Sequence, residues 1–310
     1  MKLGKRLNAT KNKKKKWIKI IFSIILVFIL AIGGYVYSIY HNAKQTVNDT
    51  IHEEVETIDT SVTKKKVNDK KPLNILLLGV DQRANDSGRS DALMVLSLNP
   101  TDDSMQLVSI PRDTRTEIVG HGTVDKINHA YAFGGVDMSI NTVENFLDIE
   151  LDYYVRMNME GLSDLVDALG GITVQNDIDW KDNGFHYSIG ELNLNGPQTM
   201  GFVRMRKQDS SGDFGRTERQ RIVIKAIMDK GASLNSIGKI HELIDVLGRN
   251  VVTNMNFEDM TTLFNNYQGT RKNFTSYMMS GTGQKIGGIY YLVVSDDEVQ
   301  KVHGMLTKES

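Results

Sequence analysis

The sequence predicts an α/β fold of α/β/α layers: a mixed central β-sheet with helices on both faces, preceded by one N-terminal transmembrane helix. Three observations predict it. Residues 74–80 (NILLLGV) form a short continuous apolar run, the pattern of a strand buried on both faces. From about residue 136 onward, helix-period and strand-like segments alternate, which calls for helices laid against a sheet. Near the start, residues 20–37 carry no charge and follow a lysine-rich arm.

The chain justifies each element in turn. Residues 1–16 hold eight Lys/Arg and no acid, and are read as a cytoplasmic basic arm lying against anionic lipid. Residues 17–40 are the expected transmembrane signal-anchor helix. The uncharged run Ile20–Tyr37 is short for a span, and Trp17–Lys19 and Ser38–Tyr40 lengthen it. Trp17, Tyr35, Tyr37 and Tyr40 supply aromatic side chains for the two interfaces, and the lysines before the span set the N-terminus inside. A cleaved signal peptide is the rival reading. It would have a shorter apolar region and an A-x-A site after it, and neither is found. Residues 41–71 are polar and are read as an extracellular stalk, partly helical around Ala43–Glu56, with the folded domain over 72–310.

Composition excludes some functions. The net charge of -1 hides an asymmetry: outside the arm, 29 basic side chains face 38 acidic ones. An acidic body argues against general nucleic-acid binding, which needs a broad basic face. The chain has no cysteine, so disulfides and Cys-ligated metals are out. Its seven histidines show no HExxH spacing, which argues against zinc.

Within the domain, Ala92–Leu98 and Met105–Ile110 read as a hairpin with Leu98 opposite Met105. That register carries Asp91 to Arg112. If the 74–80 strand is antiparallel to 92–98, Asp81 and Arg83 reach the same sheet end as Arg89, Asp91, Arg112 and Asp113. Next comes a helix over Val136–Asp148, with Ile140, Val143 and Leu147 on one face and Asp137 or Ser139 as its cap. Then follow a strand at 152–157, a helix at 161–169 ended by Gly170–Gly171 and a strand at 172–176. Residues 178–196 read as loop. Pro197 opens a short helix, and helices at 216–230 and 239–247 follow, the latter with Gly248 past its end. Asn256 caps another, Gly288–Val294 is a late strand, and Ser295 with Glu298 starts a last helix.

The chemistry concentrates in residues 202–221 (FVRMRKQDSSGDFGRTERQR). Arginine presents a planar fork of donors matched to phosphate oxygens. Arg216, Arg219 and Gln220 share a helix face with Val223 and Ile227, while Arg221 lies off it and is expected to be dispensable. Cations crowded at a helix N-terminus oppose its dipole and call for an anion among them. Acids and arginines together at a sheet end suggest a phosphate or pyrophosphate with a divalent cation. Mg²⁺ needs only one or two carboxylates, for which Asp81 and Asp91 are suited, and a remaining acid could serve as base. An Asp91–Arg112 pair serving only as a cross-strand contact is the plainer alternative. GTGQKIGG at 281–288 precedes a strand rather than a helix and is read as a loop, not a nucleotide fingerprint.

Taken together, NILLLGVDQR, GRSDALMVLSLNP, LVSIPRDT, KINHAYAFGG, the VDALGG helix end and the 202–221 run closely resemble the LytR-CpsA-Psr family of Gram-positive bacteria. The resemblance implies a membrane-anchored phosphotransferase outside the cell, single-pass with its N-terminus cytoplasmic. It would move a glycopolymer such as wall teichoic acid from a polyprenyl-pyrophosphate carrier to the 6-hydroxyl of N-acetylmuramic acid in peptidoglycan, at the lipid bilayer and without nucleic acid. It further implies an apolar slot between sheet and helices for the prenyl tail, and Mg²⁺ on Asp81 and Asp91. Arg83, Arg89, Arg112, Arg204, Arg206, Arg216, Arg219 and Gln220 would hold the pyrophosphate. Asp81, Asp91, Arg112, Asp213 and Arg216 would carry the catalysis, with the base left open among Asp81, Asp91 and Asp213. A lipid-pyrophosphate hydrolase, a membrane-bound transcriptional attenuator and a lipid-binding module without turnover are the competing readings. The sixteen-residue arm is too short for a DNA-reading domain.

Overall fold

The computed structural model describes residues 30, 32–80, 88–232 and 240–308. The basic arm, most of the expected span, Asp81 and Arg83 lie outside the described residues. Among the described residues no helix is long and apolar enough to cross a membrane. The chain divides into two units, residues 1–45 and 46–310. In the first, residues 32–45 are helical, with Tyr35, Val36, Tyr37 and Tyr40 exposed.

The second unit begins earlier than the sequence suggests. Residues 46–71 were expected to be part of a stalk, yet Val47, Ile51, Ile58 and Val67 are buried. A π-helical turn, Val47–Ile51, precedes α1 (Thr60–Asn68), whose cap Asp59 accepts from the Ser61 and Val62 amides. Asp137, expected as a cap, instead accepts from the Glu56 and Thr57 amides and ties this segment down. The apolar residues here are sparse and lack a strong period, so their burial is set by distant partners.

The order continues with β1 (Leu73–Val80), β2 (Ser90–Asn99), β3 (Ser104–Ser109), β4 (Arg115–Ile118), β5 (Thr123–Lys126) and α2 (His129–Leu147). Then come β6 (Tyr153–Asn158), α3 (Met159–Ala168), β7 (Ile172–Asn176), β8 (Trp180–Asp182), β9 (Phe185–Tyr187), β10 (Gly190–Leu194), α4 (Gly196–Arg204) and α5 (Asp213–Ala232). The chain closes with α6 (Ile240–Asn250), β11 (Val251–Thr253), α7 (Phe257–Tyr267), β12 (Asn273–Met278), β13 (Thr282–Ile286), β14 (Ile289–Val293) and α8 (Asp296–Leu306).

The central sheet has the order β11-β6-β1-β2-β3-β12. It is mixed: β1 runs antiparallel to β2 and parallel to β6. Alternation along the strands sends side chains to two layers. Leu76, Leu78, Val95 and Val108 meet Ile140, Val143 and Leu147 of α2 and Val302 of α8. Each of those three α2 side chains is wholly buried, stabilising the layer by about 1.5–3 kcal/mol apiece. Ile75, Met94, Leu96 and Leu107 face the other way, toward α7 and toward Ile224 and Met228 of α5. A further cluster joins Trp180, Tyr187 and Phe202 to Val223 and Ala226 of α5. Helix α5 is therefore packed on more than one side.

Several predicted details hold. Leu98 pairs with Met105, and the ladder runs to Met94 opposite Ser109. Asn256 caps α7, in a capping box with Asp259, and Ser295 accepts from the Glu298 amide. Others do not. Helix α2 starts at His129, about two turns early, and kinks at Gly134–Gly135. Gly248 sits inside α6 rather than beyond it. Residues 178–196 carry three short strands. GTGQKIGG is not a loop: most of it is β13, joined to β14 by Gly287 and Gly288, both at positive φ (59° and 83°). Two left-handed residues close the two-residue hairpin turn whose twist matches the strands.

Candidate active site

Register builds the first half of the site. The β2–β3 pairing, continued past its last rung, brings Arg112 to Asp91, where Nη1 donates to Oδ1 at 2.6 Å. The second half comes from the α4–α5 connection. Asp213 is the first residue of α5, and its carboxylate lies 3.6 Å from Arg112 Nε, 3.7 Å from Arg206 Nε and 2.9 Å from Arg216 Nη2. Asp113 stands beside them, 3.9 Å from Arg112 Nε and 2.7 Å from Lys126 Nζ. Three arginines and three aspartates from separate elements thus meet at the end of β2 and β3.

This cluster does not satisfy itself. Among the described residues, Arg112 Nε, Arg216 Nε and Asp213 Oδ1 are buried without a hydrogen-bond partner. The Arg216–Asp213 contact is close in distance but not aligned as a hydrogen bond. Burial works to lower the Arg112 pKa, but the Asp91 hydrogen bond and the charges of Asp213, Asp91 and Asp113 outweigh it and hold it above the ordinary value. For Arg216 burial wins, helped by the neighbouring Arg112 and Arg206, so its pKa falls. Guanidinium N–H groups left buried and unpaired cost about 1–3 kcal/mol each unless a ligand takes them. The arrangement is preorganised for an anion with more than one oxygen.

Arg206 is exposed and close to the cluster, whereas Arg89 before β2 and Arg204 at the end of α4 are exposed and outside the contacts just described. Gln220 lines a neighbouring cleft. Two expectations about α5 change. Arg219 does not point to a ligand: its Nε donates to the Phe202 carbonyl at 3.0 Å, Nη2 to the Met205 carbonyl at 2.5 Å, and Nη1 to Asp209 at 2.6 Å. It also lies over the Trp180 ring, 5.6 Å from its centroid. Arg219 is a strut that shapes the connection carrying Arg206. Gly215 allows this, because a Cβ there would overlap the Asp209 carboxylate. Arg221, expected off the working face and dispensable, is 5% exposed, with Nε and Nη1 unpartnered and only Glu218 beside Nη2. Burial pulls its pKa down to about 10. The cause is the two-sided packing of α5, which leaves no solvated flank for residue 221.

An apolar cleft opens between the sheet and helices α3, α4 and α5. Leu77, Gly79, Ala92, Met157, Leu162 and Val223 are among its walls, with Asn158 and Gln220 its polar members. Gly79 pairs with Ala92 across β1 and β2, so small residues keep this part open, immediately before Asp91. Asp113 was expected at this sheet end without an assigned role, and Lys126 was not expected at all. Asp113 had a signal in its position next to Arg112, but Lys126 arrives on a hairpin, β4–β5, that the sequence did not announce.

No group of three His, Cys, Asp or Glu able to hold a metal occurs among the described residues. A cation held largely by phosphate oxygens needs fewer carboxylates. Asp91, with its Oδ1 engaged by Arg112, and the unpartnered Asp213 Oδ1 fit that lesser demand.

The LytR_cpsA_psr family model matches residues 34–308. The chain belongs to the LytR_cpsA_psr family. It is 43% identical over 295 residues to the polyisoprenyl-teichoic acid–peptidoglycan teichoic acid transferase TagU of Bacillus subtilis, covering 95% of this chain and 96% of that one. The crystal structure of B. subtilis TagU superposes with a TM-score of 0.63 at 41% identity, over 77% of this chain and 98% of that chain. A structure described as TagT bound to LIIa-WTA gives 0.65 at 30% identity, over 83% and 95%. The mixed sheet with helices is thus the architecture this chain shares with its family.

Proposed function

We propose that this protein is a phosphotransferase that moves an anionic glycopolymer, such as wall teichoic acid, from a polyprenyl-pyrophosphate carrier to the 6-hydroxyl of N-acetylmuramic acid in peptidoglycan. The observation that carries the reading is the set of buried, unpartnered arginine donors beside an apolar cleft. A pyrophosphate would satisfy the donors, and its prenyl tail would fill the cleft. Arg112, Arg206 and Arg216 hold the pyrophosphate oxygens and stabilise the charge that grows on them during transfer. Arg89 and Arg204 are further phosphate contacts, Arg83 is assigned the same role from its sequence motif, and Gln220 lies along the tail. Arg219 acts by positioning.

In the reaction, the acceptor hydroxyl oxygen forms a bond to the phosphorus nearest the polymer. The bond from that phosphorus to the bridging oxygen breaks, and polyprenyl phosphate leaves with the electron pair. The hydroxyl proton passes to a carboxylate, Asp81, Asp91 or Asp213. Asp81 and Asp91 would hold a Mg²⁺ ion, which when bound supplies positive charge to the pyrophosphate oxygens. We assign the N-terminal segment as a signal anchor with its N-terminus in the cytoplasm and residues 46–310 outside the cell. Tethering at the bilayer raises the effective concentration of a lipid-borne donor.

The test is a transfer assay with a synthetic lipid-pyrophosphate glycan and peptidoglycan oligomers, with and without Mg²⁺. Polymer joined to the oligomer by a phosphodiester is expected. Phosphate release at the full rate without the oligomer would replace this reading with hydrolysis. Full transfer by Arg216→Ala would remove the site assignment.

A further inference from the structure

A second cleft adjoins the arginine–aspartate cluster. Its character differs from the first. Asp113, Asp213, Arg206 and Thr217 line it together with the rings of Phe214 and Tyr290. Both rings are substantially exposed, 37% for Phe214 and 44% for Tyr290. Exposed aromatic faces set among carboxylates and a guanidinium suit a ligand with apolar C–H faces and a rim of hydroxyls. Such a ligand is a sugar.

The tail of the chain builds this cleft. Tyr290 stands on β14, and β13 opposite it is exposed along its whole length. The hairpin is fastened where it meets the site: the Leu292 amide donates to the Asp113 carbonyl at 2.8 Å, and Tyr291 sends its hydroxyl to Asp125 and its ring under Arg115. Gly283, with no side chain, leaves the space that the Tyr290 ring crosses. Fixed at its base and bare at Tyr290, the hairpin presents an aromatic wall facing the charged cluster.

Asp213 connects the two clefts' chemistry. It lines the polar cleft, it touches Arg112 and Arg216, and its Oδ1 is buried without a hydrogen-bond partner among the described residues. A sugar hydroxyl in the cleft would supply the missing donor.

We propose that this polar cleft is a saccharide subsite, with Tyr290 and Phe214 as its stacking platforms and Asp113 and Asp213 as hydroxyl acceptors. The proposal rests on the transferase reading for the sugar's identity but not for its chemical class. Two sources have that class: the glycan strand of the acceptor and the first sugars of the donor polymer. The geometry of one hydroxyl reaching Asp213 beside the phosphate clamp is shared by both.

Two measurements on the full-length protein test it. In the first, a disaccharide of N-acetylglucosamine and N-acetylmuramic acid and, separately, the water-soluble head disaccharide of the donor polymer are titrated calorimetrically into wild type, Tyr290→Ala, Tyr290→Phe and Phe214→Ala. Affinity for one of them should fall about tenfold in both alanine variants and persist in Tyr290→Phe. In the second, KM is measured for donor and acceptor in the transfer assay. The KM that rises in Tyr290→Ala names the source of the sugar. If neither saccharide binds wild type, or both bind Tyr290→Ala as tightly, the subsite is wrong. Saccharide binding through Tyr290 with no transfer by wild type would keep the subsite and overturn the transferase reading. Unchanged thermal unfolding of the variants separates these results from misfolding.

Discussion

Two charge clusters in this molecule have similar ingredients and opposite character. Around α1, Lys66 Nζ lies 2.8 Å from Glu150 and 2.9 Å from Asp152, Asp152 also accepts from the Asn74 amide, and Glu144 accepts from the Leu151 amide. Each of those contacts ends on a partner within the protein. At the end of β2 and β3, Arg112, Arg216 and Asp213 keep buried atoms without a hydrogen-bond partner among the described residues. A satisfied cluster fastens two segments. An unsatisfied one carries a standing cost, and a site that must seize a ligand is where such a cost is expected.

The sharpest way to break this contrast is to remove one arginine from the unsatisfied cluster. Arg112→Ala or Arg216→Ala should lower the transfer rate by about 10³, the scale of losing a preorganised donor to developing phosphate charge. Folding stability should hold or rise slightly for Arg216→Ala, since burial and two neighbouring arginines already disfavour its charge. Urea unfolding beside the activity assay checks both. A stability loss matching the activity loss would make this cluster another fastener.

Arg219 sharpens the contrast from the other side. It sits in the same run as Arg216, one helical turn on, yet its three hydrogen bonds all stay within the protein. Arg219→Lys keeps the charge and cannot reach two carbonyls and a carboxylate at once. It should cost about 3 kcal/mol, the lower end for breaking a buried ion pair, read as a shift in the urea midpoint. Any fall in activity should then follow the fraction unfolded. Lys66→Ala should cost less, about 1–3 kcal/mol, because Asp152 retains the Asn74 amide, and should leave KM for both substrates unchanged.

That same pair of arginines shows what the sequence could and could not reveal. Local periodicity placed Arg216 and Arg219 on one helix face, and the hairpin register carried Asp91 to Arg112 without any structure. Both inferences use spacings within a few residues or a single turn. Arg219's partners lie at 202, 205 and 209, held by a connection whose path no local pattern states. Arg221 shows the limit more plainly. Helical phase put it off the working face, but what covers that flank is the two-sided packing of α5, a property of other elements. The buried residues of 46–71 and the β4–β5 hairpin that delivers Lys126 failed to announce themselves for the same reason. Tyr290 was hidden by a correct exclusion: the glycine-rich segment before it is no nucleotide loop, yet its last two glycines make the turn that presents the ring.

The smallest effect concerns pH, and it separates the fastener from the site again. Burial works to raise the Asp209 carboxyl, but the hydrogen bonds from Arg219 and the Ser211 amide and the charge of Arg219 prevail and hold it below its ordinary 3.8. A carboxylate depressed by folding adds stability above the unfolded value, and that stability is lost as pH falls from about 3.8 through the folded value. Asp209→Asn has lost it already at neutral pH. Wild type should therefore lose urea resistance more steeply than Asp209→Asn below about pH 4, and the two curves should run parallel above it. Curves that stay parallel down to pH 2.5 would show that Asp209 titrates alike in both states. Arg219 would then be held by the two carbonyls alone, and its difference from Arg216 would reduce to hydrogen bonding without charge.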